Sequence, residues 1–245
     1  MRCILLAAGY ATRLYPLTKD TPKPLLKVAG KPILEHILSR VEKIDAIQEV
    51  TIVTNDKFHA RFLEWKKDYA SNKKIEILSD GTKSNNDRLG AIGDIHFVLK
   101  AKNIDEDVLV IGGDNLFEFS LARLVQFFKE KGKSVVALVD VKNRELAKNY
   151  GIVGLDTKQR IVAFWEKPEK PESTLASTAC YLFSKEDIEE LERCIQEHHQ
   201  PDNLGDFIKF LSEKKPVYGF VFTERWFDIG DHQQLKEADS VWGQK

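Results

Sequence analysis

The sequence predicts an α/β fold in which helices flank a mostly parallel mixed sheet, with a smaller antiparallel part in the second half. In the first half, short β-branched runs alternate with longer segments of helical periodicity, a pattern typical of parallel strands joined by crossover helices. The run at 107–111 (DVLVI) is apolar throughout, as in a central strand covered on both faces. Beyond Asn143, turns and prolines separate the strand-like runs, which favours antiparallel pairing.

Strands and helices alternate through the first half. Apolar and β-branched runs predict strands at 3–7, 49–54, 74–78, 107–111 and 134–139. Helical periodicity predicts helices at 32–44, at 58–69 and from Gly90 onward. The apolar residues that recur on one face of the first of these helices are Ile33, Ile37, Val41 and Ile44.

The second half returns to helices after a group of strands. Strands are predicted at 151–155, 160–165, 177–183 and 217–222, and helices at 185–198, 204–213 and 232–241. The sequence has no internal repeat, low-complexity tract or linker. We therefore expect a single domain over residues 1–245.

Composition favours a compact protein that does not bind nucleic acid. The 245 residues are 42% hydrophobic and 31% charged, unlike a disordered chain. Because 37 basic residues are balanced by 38 acidic ones, the net charge of -1 gives no global positive field for a nucleic acid. Three cysteines without CxxC spacing indicate a reducing compartment, and no apolar run reaches a membrane-spanning length. We expect a cytoplasmic protein.

The segment LAAGYATRLYPLTKDTPKPLL, at 6–26, follows the first predicted strand directly. Because the carboxyl ends of parallel strands open onto ligand crevices, this segment is placed to bind a ligand. Gly9 allows the backbone to approach that ligand, while Arg13 and Lys23 offer positive charge to phosphate oxygens. The sequence lacks GxxxxGKS/T, and its Gly-Tyr-Ala at 9–11 breaks GxGxxG, which excludes a P-loop ATPase and a dinucleotide dehydrogenase.

This segment resembles the signature loop of the sugar-phosphate nucleotidyltransferases (NDP-sugar pyrophosphorylases), LAGGxGTRLxPLT followed by PKxL. Within that family it is similar to glucose-1-phosphate thymidylyltransferases. Shorter family-like pieces follow in the expected order, GGDN at 112–115, YG at 150–151, EKP at 166–168 and WFDIG at 226–230. The resemblance covers nearly the whole chain, and its plain departure is Ala11, where the family usually has glycine.

The resemblance implies a Rossmann-like sheet of the nucleotide-diphospho-sugar transferase type. Residues 1–143 are expected to form a nucleotide-binding core, and residues 144–245 a smaller antiparallel sugar-binding lobe with completing elements. The implied enzyme condenses an NTP with a sugar 1-phosphate to give an NDP-sugar and pyrophosphate, with Mg²⁺ as cofactor. Direct in-line displacement is expected, because a sugar phosphate is already ionised and needs no general base.

The resemblance also assigns site residues. Arg13 and Lys23 are expected to be catalytic, with Arg13 on the outgoing phosphates and Lys23 bridging the two substrates. Asp114 and Asp228 are expected to share the Mg²⁺, since this hard cation takes carboxylate and phosphate oxygens. The expected nucleotide-binding residues are Leu6, Ala8, Gly9, Thr12, Arg13, Leu89, Gly90 and Asp114. The expected sugar-phosphate-binding residues are Lys23, Gly151, Glu166, Lys167 and Thr178.

Several assigned residues also have an ordinary structural interpretation. Asp114 fits a turn after two glycines, and Asp228 fits the end of a strand. By strand alternation, Glu166 and Lys167 are expected to face opposite ways. Their ordinary interpretation is a solvated Glu-Lys pair before a turn. Thr178 is a β-branched strand residue that needs no functional explanation.

Two other functions stay open. A cytidylyltransferase for a phosphorylated amino alcohol or a phosphonate can use a similar first loop, and a non-catalytic nucleotide-sugar-sensing subunit would keep the fold. The region at 79–94, SDGTKSNNDRLGAIGD, departs from the family's base-binding pattern, so CTP, UTP and dTTP all stay open as substrates. Neither nucleic acid nor a membrane is expected as a partner, and a homo-oligomer stays open.

Overall fold

The computed structural model describes residues 1–197 and 202–242, whose strands form one large mixed sheet and two small ribbons. The strands are β1 (Arg2–Leu6), β2 (Lys27–Val28), β3 (Lys31–Pro32), β4 (Glu49–Thr54), β5 (Lys74–Ser79), β6 (Val108–Gly112), β7 (Asn115–Phe117), β8 (Val135–Asp140), β9 (Gly151–Leu155), β10 (Ile161–Glu166), β11 (Leu175–Phe183), β12 (Tyr218–Phe222) and β13 (Trp226–Asp228). The helices are α1 (Ile33–Val41), α2 (Asp56–Asp68), α3 (Gly90–Lys102), α4 (Leu121–Lys131), α5 (Arg144–Ala147), α6 (Lys185–Ile188), α7 (Leu191–Glu197), α8 (Leu204–Lys214) and α9 (His232–Trp242).

The large sheet has nine strands within the described ranges. Seven follow the order β10-β9-β11-β6-β1-β4-β5, and β8 and β12 extend the sheet beside β11. β6, β1, β4 and β5 are parallel neighbours, and β12 is parallel to β8. β11 runs antiparallel to β6, β8 and β9, and β9 runs antiparallel to β10. The predicted α/β class is confirmed, and its antiparallel strands continue the same sheet as the parallel core.

Two apolar cores cover the two faces of this sheet, because successive strand residues point to opposite sides. Cys3 and Leu5 of β1 pack in the core that also receives α1, α2 and α4. Ile4, between them, packs in the core that receives α3, α7 and α8. Within the described ranges, no helix combines the length and the apolar character that crossing a bilayer requires.

Helix boundaries follow from capping residues that the periodicity did not reveal. The Asn55 side chain accepts a hydrogen bond from Phe58 N at 3.0 Å, so α2 begins at Asp56 rather than at the predicted residue 58. The helix predicted at 185–198 is two short helices, α6 and α7, and residue 198 lies outside the described ranges.

A short ribbon that the sequence did not predict joins β7 to β13. The two strands are antiparallel, with Asp228 opposite Asn115. Trp226 Nε1 donates to Asn115 Oδ1 at 2.7 Å, which fixes the register of the ribbon. Because β7 follows β6 after a turn of two residues, the ribbon brings residues 226–228 to the carboxyl edge of the parallel strands.

Candidate active site

A cavity of about 460 Å³ opens at the carboxyl ends of β1 and β6. Its walls come from the segment after β1, the turn after β6, the starts of α3 and α8, strands β9 to β11 and the end of β13. Segments that are far apart in the chain therefore meet at the edge of the sheet where α/β proteins bind ligands.

The segment after β1 is held by hydrogen bonds to its backbone. Asn55 Nδ2 donates to Ala8 O at 2.8 Å, and Thr18 Oγ1 donates to Ala11 O at 2.7 Å. A Cβ added to Gly9 would meet no atom within 4 Å, so this part of the loop leaves room for a ligand. Ala11 is left-handed (φ 46°, ψ 45°), a conformation that glycine adopts without strain.

Lys23 connects this first segment to the turn after β6. Its ammonium group donates to Asp114 Oδ2 at 2.6 Å and to Ile229 O at 2.8 Å. A Cβ on Gly113 would lie 2.9 Å from Pro24 Cγ and 2.7 Å from the carbonyl oxygen at the end of β1. Glycine at 113 is therefore needed for the close approach that brings Lys23 to Asp114.

Asp228 ends β13 and lies in the same cavity as Asp114. Burial raises the pKa of Asp228 above its usual range, and the neighbouring Asp114 carboxylate raises it further. The positive charges of Lys23, Lys167 and Arg13 oppose this shift of the Asp228 pKa. Cations from two separate segments therefore act on one pair of carboxylates.

This carboxylate pair fits a hard divalent cation. Proteins bind Mg²⁺ through one or two carboxylates together with substrate phosphates, rather than through a complete protein cage. Asp114 and Asp228 supply two carboxylates to one cavity, and Asp228 accepts no hydrogen bond through its side chain from the residues that the structure describes. The residues present therefore suit Mg²⁺ bound together with a phosphate ligand.

Glu166 and Lys167 both line the cavity, so the prediction that they face opposite ways is wrong. Lys167 leaves the extended conformation, with φ 44°, and its N–H donates to Tyr150 O at 3.1 Å. This turns its side chain towards that of Glu166, and Nζ lies 3.8 Å from Glu166 Oε1. Burial raises the pKa of Glu166, while the charge of Lys167 acts in the opposite direction.

The cavity brings together most of the residues that the sequence singled out. The predicted residues that line it are Leu6, Ala8, Gly9, Lys23, Gly90, Asp114, Gly151, Glu166, Lys167 and Asp228. Thr12, Arg13, Leu89 and Thr178 do not line it. Arg13 is exposed on the loop, although its charge acts on Asp228, and Leu89 is 41% exposed.

Thr178 belongs to the face of β11 that is packed away from the cavity. Its side chain is 1% exposed, and its hydroxyl donates to Ala137 O at 2.9 Å. Ser177, Ala179 and Tyr181, on the other face of the strand, line the cavity.

Sequence reasoning missed a group of lining residues that lie just after β5, in the first part of α3 and around the start of α8. They are Asp80, Asp94, Asp202, Asn203, Leu204 and Gly205. The sequence could have indicated Asp94, because this acidic residue lies between the apolar Ile92 and Ile95, at a position that such a helix usually buries. Asp202 and Asn203 belong to the Pro-Asp-Asn stretch at 201–203, a composition that indicates only a loop.

Known proteins match this chain over nearly its whole length. The family model for nucleotidyl transferases matches residues 2–244. The bifunctional protein GlmU of Methanocaldococcus jannaschii is 33% identical over 240 residues, which cover 98% of this chain and 53% of that protein. The UTP–glucose-1-phosphate uridylyltransferase of Synechocystis sp. is 29% identical over 240 residues, which cover 94% of this chain and 60% of that protein. The chain thus spans about half the length of the GlmU proteins that it matches.

The fold is shared with solved structures. UDP-glucose pyrophosphorylase complexed with UDP-glucose aligns with a TM-score of 0.82 at 21% identity, covering 98% of this chain and 97% of that chain. This likeness shows a common arrangement of helices around a mostly parallel sheet.

Proposed function

The chain belongs to the nucleotidyl transferase family, and we propose that it joins a nucleoside triphosphate to a sugar 1-phosphate, forming an NDP-sugar and pyrophosphate. One observation carries the proposal: Lys23, Asp114 and Asp228 converge in a cavity beside the open loop at Gly9. A cation for phosphates and two carboxylates for a metal ion are thereby available in one place. A sugar phosphate is favoured as the second substrate, since the Synechocystis relative is named for glucose 1-phosphate.

In this proposal residues 1–143 bind the nucleotide, and residues 144–245 bind the sugar phosphate and complete the fold. Leu6, Gly9 and Gly90, from β1, the loop after it and the start of α3, line the cavity, and the proposal assigns them to the nucleotide. Glu166 and Lys167, on β10 and the turn after it, line the same cavity, and the proposal assigns them to the sugar phosphate. A carboxylate and an ammonium there suit sugar hydroxyls and a phosphate, respectively.

The reaction needs positioning and charge stabilisation rather than proton transfer. An oxygen of the sugar phosphate attacks the α-phosphorus and forms a new P–O bond, while the bond to the bridging oxygen breaks and its electron pair leaves with pyrophosphate. A sugar phosphate carries about 1.5 to 2 negative charges near neutral pH, so no residue has to remove a proton. Lys23 and Arg13 offset the negative charge that accumulates around the α-phosphorus.

Asp114 and Asp228 would hold the Mg²⁺, which when bound neutralises phosphate charge and orients the triphosphate. Lys23 already lies 2.6 Å from Asp114 and is fixed a second time by Ile229 O. The ammonium group is therefore placed before the substrates bind, which lowers the cost of organising the site for reaction.

A matrix assay tests this proposal. The protein with Mg²⁺ receives each common nucleoside triphosphate with glucose, mannose or N-acetylglucosamine 1-phosphate, and both pyrophosphate and NDP-sugar are measured. We expect turnover of at least one pair, with inversion at a chirally labelled α-phosphorus. Retention would contradict direct displacement. Turnover with phosphorylated amino alcohols or phosphonates alone would identify a cytidylyltransferase of that class, and binding without any turnover would identify a sensor.

A further inference from the structure

A histidine near the end of the chain contacts the loop after β1. The Nε2 atom of His232, the first residue of α9, lies 2.9 Å from Tyr15 O, although 217 residues separate the two in sequence. Because a carbonyl oxygen can only accept a hydrogen bond, the ring nitrogen is the donor. The neutral ring with its proton on Nε2 and the charged ring can both donate this bond.

His232 is exposed, yet the helix that carries it is held at both ends. Gly230 N donates to Gln234 Oε1 at 2.7 Å, which closes the turn before the helix. Towards the other end of α9, Asp239 Oδ1 accepts a hydrogen bond from Ala29 N, in the turn between β2 and β3, at 2.7 Å. The imidazole ring of His232 therefore projects from a docked helix.

The hydrogen bond from His232 acts on the turn that carries Arg13. This is a single turn of 3-10 helix, after which Tyr15 N donates to Thr12 O at 3.2 Å. Leu14 is fully buried and anchors one side of the turn in the apolar core, while Tyr15 O is held by His232. Two separate anchors fix the orientation of the turn as well as its position.

Arg13 depends on this turn for its direction. Its guanidinium group is exposed and has no hydrogen bond or ion pair to any residue in the ranges 1–197 and 202–242. Its positive charge acts on Asp228, which places the group within electrostatic range of the carboxylate pair. Since no contact of its own holds the guanidinium, a rotation of the turn changes where this charge lies.

The segment that contains His232 also contacts the centre of the candidate active site. Asp228 ends β13 and lines the cavity. Ile229 O, the next carbonyl oxygen, accepts a hydrogen bond from Lys23 Nζ at 2.8 Å. The segment 228–232 therefore connects the carboxylate pair to the loop that carries Arg13.

We propose that His232 is a positioning residue: its hydrogen bond to Tyr15 O orients Arg13 towards the β- and γ-phosphates of a nucleoside triphosphate and so tightens triphosphate binding. This inference rests on the proposed function and on the expected place of Arg13 at the outgoing phosphates. A guanidinium group binds phosphate through a planar fork of N–H donors, so its direction matters, and a side chain that is already oriented loses less freedom on binding. A nucleoside monophosphate lacks these two phosphates, so its binding should not depend on His232.

Calorimetry with Mg²⁺ and without sugar phosphate tests the inference, because it needs no turnover. For each common base, the Kd of the monophosphate is divided by the Kd of the triphosphate, and the ratio measures how strongly the β- and γ-phosphates are held. Loss of one neutral hydrogen bond corresponds to about a two- to tenfold change in affinity, so His232→Ala should lower the ratio by that factor and leave the Kd of the monophosphate unchanged.

Two further variants serve as rescue and control. His232→Gln, whose amide nitrogen can donate to Tyr15 O, should restore the ratio. Gln233→Ala changes an exposed neighbour in the same helix turn and should leave the ratio unchanged. Circular dichroism checks that each variant is folded.

A double-mutant cycle identifies the group through which His232 acts. Arg13→Met alone should lower the ratio at least as much as His232→Ala does. Adding His232→Ala to Arg13→Met should then have no further effect, because the guanidinium that the histidine orients is gone. Two effects that multiply independently would show that His232 does not act through Arg13, and would overturn the inference.

The remaining outcomes separate this inference from the proposed function. An unchanged ratio in His232→Ala overturns the inference, and so does an equal loss of affinity for both nucleotides, which a purely structural role would produce. A ratio of one in the unmodified protein also overturns it, whether or not any variant folds. Turnover of a sugar phosphate with an unchanged ratio would leave the transferase standing and this inference refuted. A lowered ratio that Gln restores, in a protein that turns over no sugar phosphate, would do the reverse.

Discussion

Lys23 Nζ lies 2.6 Å from Asp114 Oδ2, although 91 residues separate the two in sequence. The same ammonium group donates to Ile229 O, which follows Asp228, at 2.8 Å. One side chain thus connects the loop after β1, the turn after β6 and the end of β13. These three segments supply the lysine and the two aspartates at the centre of the candidate active site.

Replacing Lys23 by methionine should remove most of the activity, because the proposed mechanism places this ammonium group between the substrate phosphates and the carboxylate pair. Loss of one such preorganised charge costs about 100- to 1,000-fold in catalysis. Steady-state kinetics would measure this as a fall in kcat, with circular dichroism to check the fold. Lys27→Met, an exposed lysine on β2 outside the cavity, is the control and should keep normal kinetics. Equal activity of both variants would exclude Lys23 from catalysis.

Ala11→Gly should stabilise the protein. Ala11 is held at φ 46°, and an L-residue in this left-handed conformation costs roughly 1–2 kcal/mol, part of which glycine recovers. We expect the free energy of unfolding in urea to rise by about 1 kcal/mol, with activity retained. The control Ala60→Gly, in the exposed middle of α2, should lower the free energy of unfolding by about 1 kcal/mol. Destabilisation by both substitutions would show that the loop conformation does not strain Ala11.

Gly9→Ala should weaken nucleotide binding without lowering the stability of the protein. A methyl group at Gly9 meets no atom within 4 Å, so the folded protein tolerates it. A nucleotide that approaches the backbone there would meet the methyl, and we expect the Kd for the nucleoside triphosphate to rise about tenfold or more while Tm stays unchanged or increases slightly. Calorimetry and thermal unfolding on the same samples measure both quantities. An unchanged Kd would mean that the ligand does not approach Gly9.

Asp94 should make the stability of the protein depend on pH. Its pKa is about 8 when folded, against about 4 in an unfolded chain, so the folded state keeps a proton that the unfolded state releases between these values. Asp94 therefore lowers the free energy of unfolding as pH rises, by at most about 1.4 kcal/mol per pH unit. Below about pH 4 the group is protonated in both states and this effect disappears.

The comparison of Asp94→Asn with the unmodified protein isolates this effect, because the other titrating groups contribute to the pH dependence of stability in both proteins. The groups that face Asp94 are Asp80 and Asp202, the latter paired with Arg88 at 2.6 Å. We expect the stability difference in favour of the variant to grow from about pH 4 to about pH 8 and then level off. A difference that stays constant across this range would show that Asp94 is ionised normally in the fold.

The positions of several strands could be predicted from the sequence because their patterns are strong. The strands at 49–54 and 151–155 have the predicted bounds, since each apolar, β-branched run is followed by a turn-forming residue, Asn55 or Asp156. The ribbon of β7 and β13 was not predicted, because each strand has only three residues and pairs with a partner more than 100 residues away. Such pairing depends on tertiary packing that local periodicity does not encode.

The candidate site, too, could be predicted from the sequence only in part. Lys23 and Asp114 could be named from motifs at the ends of predicted strands, where an α/β fold collects its ligand-binding groups. The orientation of Lys167 could not, because alternation assumes an extended backbone and this residue has φ 44°. Asp80 and Asp94 come close only once α3 packs against β1 and β4, so neither motif nor spacing indicated that they share an environment.

The most direct test of the account concerns Asp228, because the proposed chemistry requires two distant aspartates to act on one cation. NDP-sugar formation from the preferred substrate pair would be measured with Mg²⁺, and Mn²⁺ binding in the presence of the nucleotide would be measured by electron paramagnetic resonance. We expect Asp228→Asn to lower turnover at least 100-fold and Mn²⁺ affinity at least tenfold, while Asp231→Asn, an exposed neighbour outside the cavity, retains both. A folded Asp228→Asn variant with normal turnover and normal Mn²⁺ binding would contradict the account.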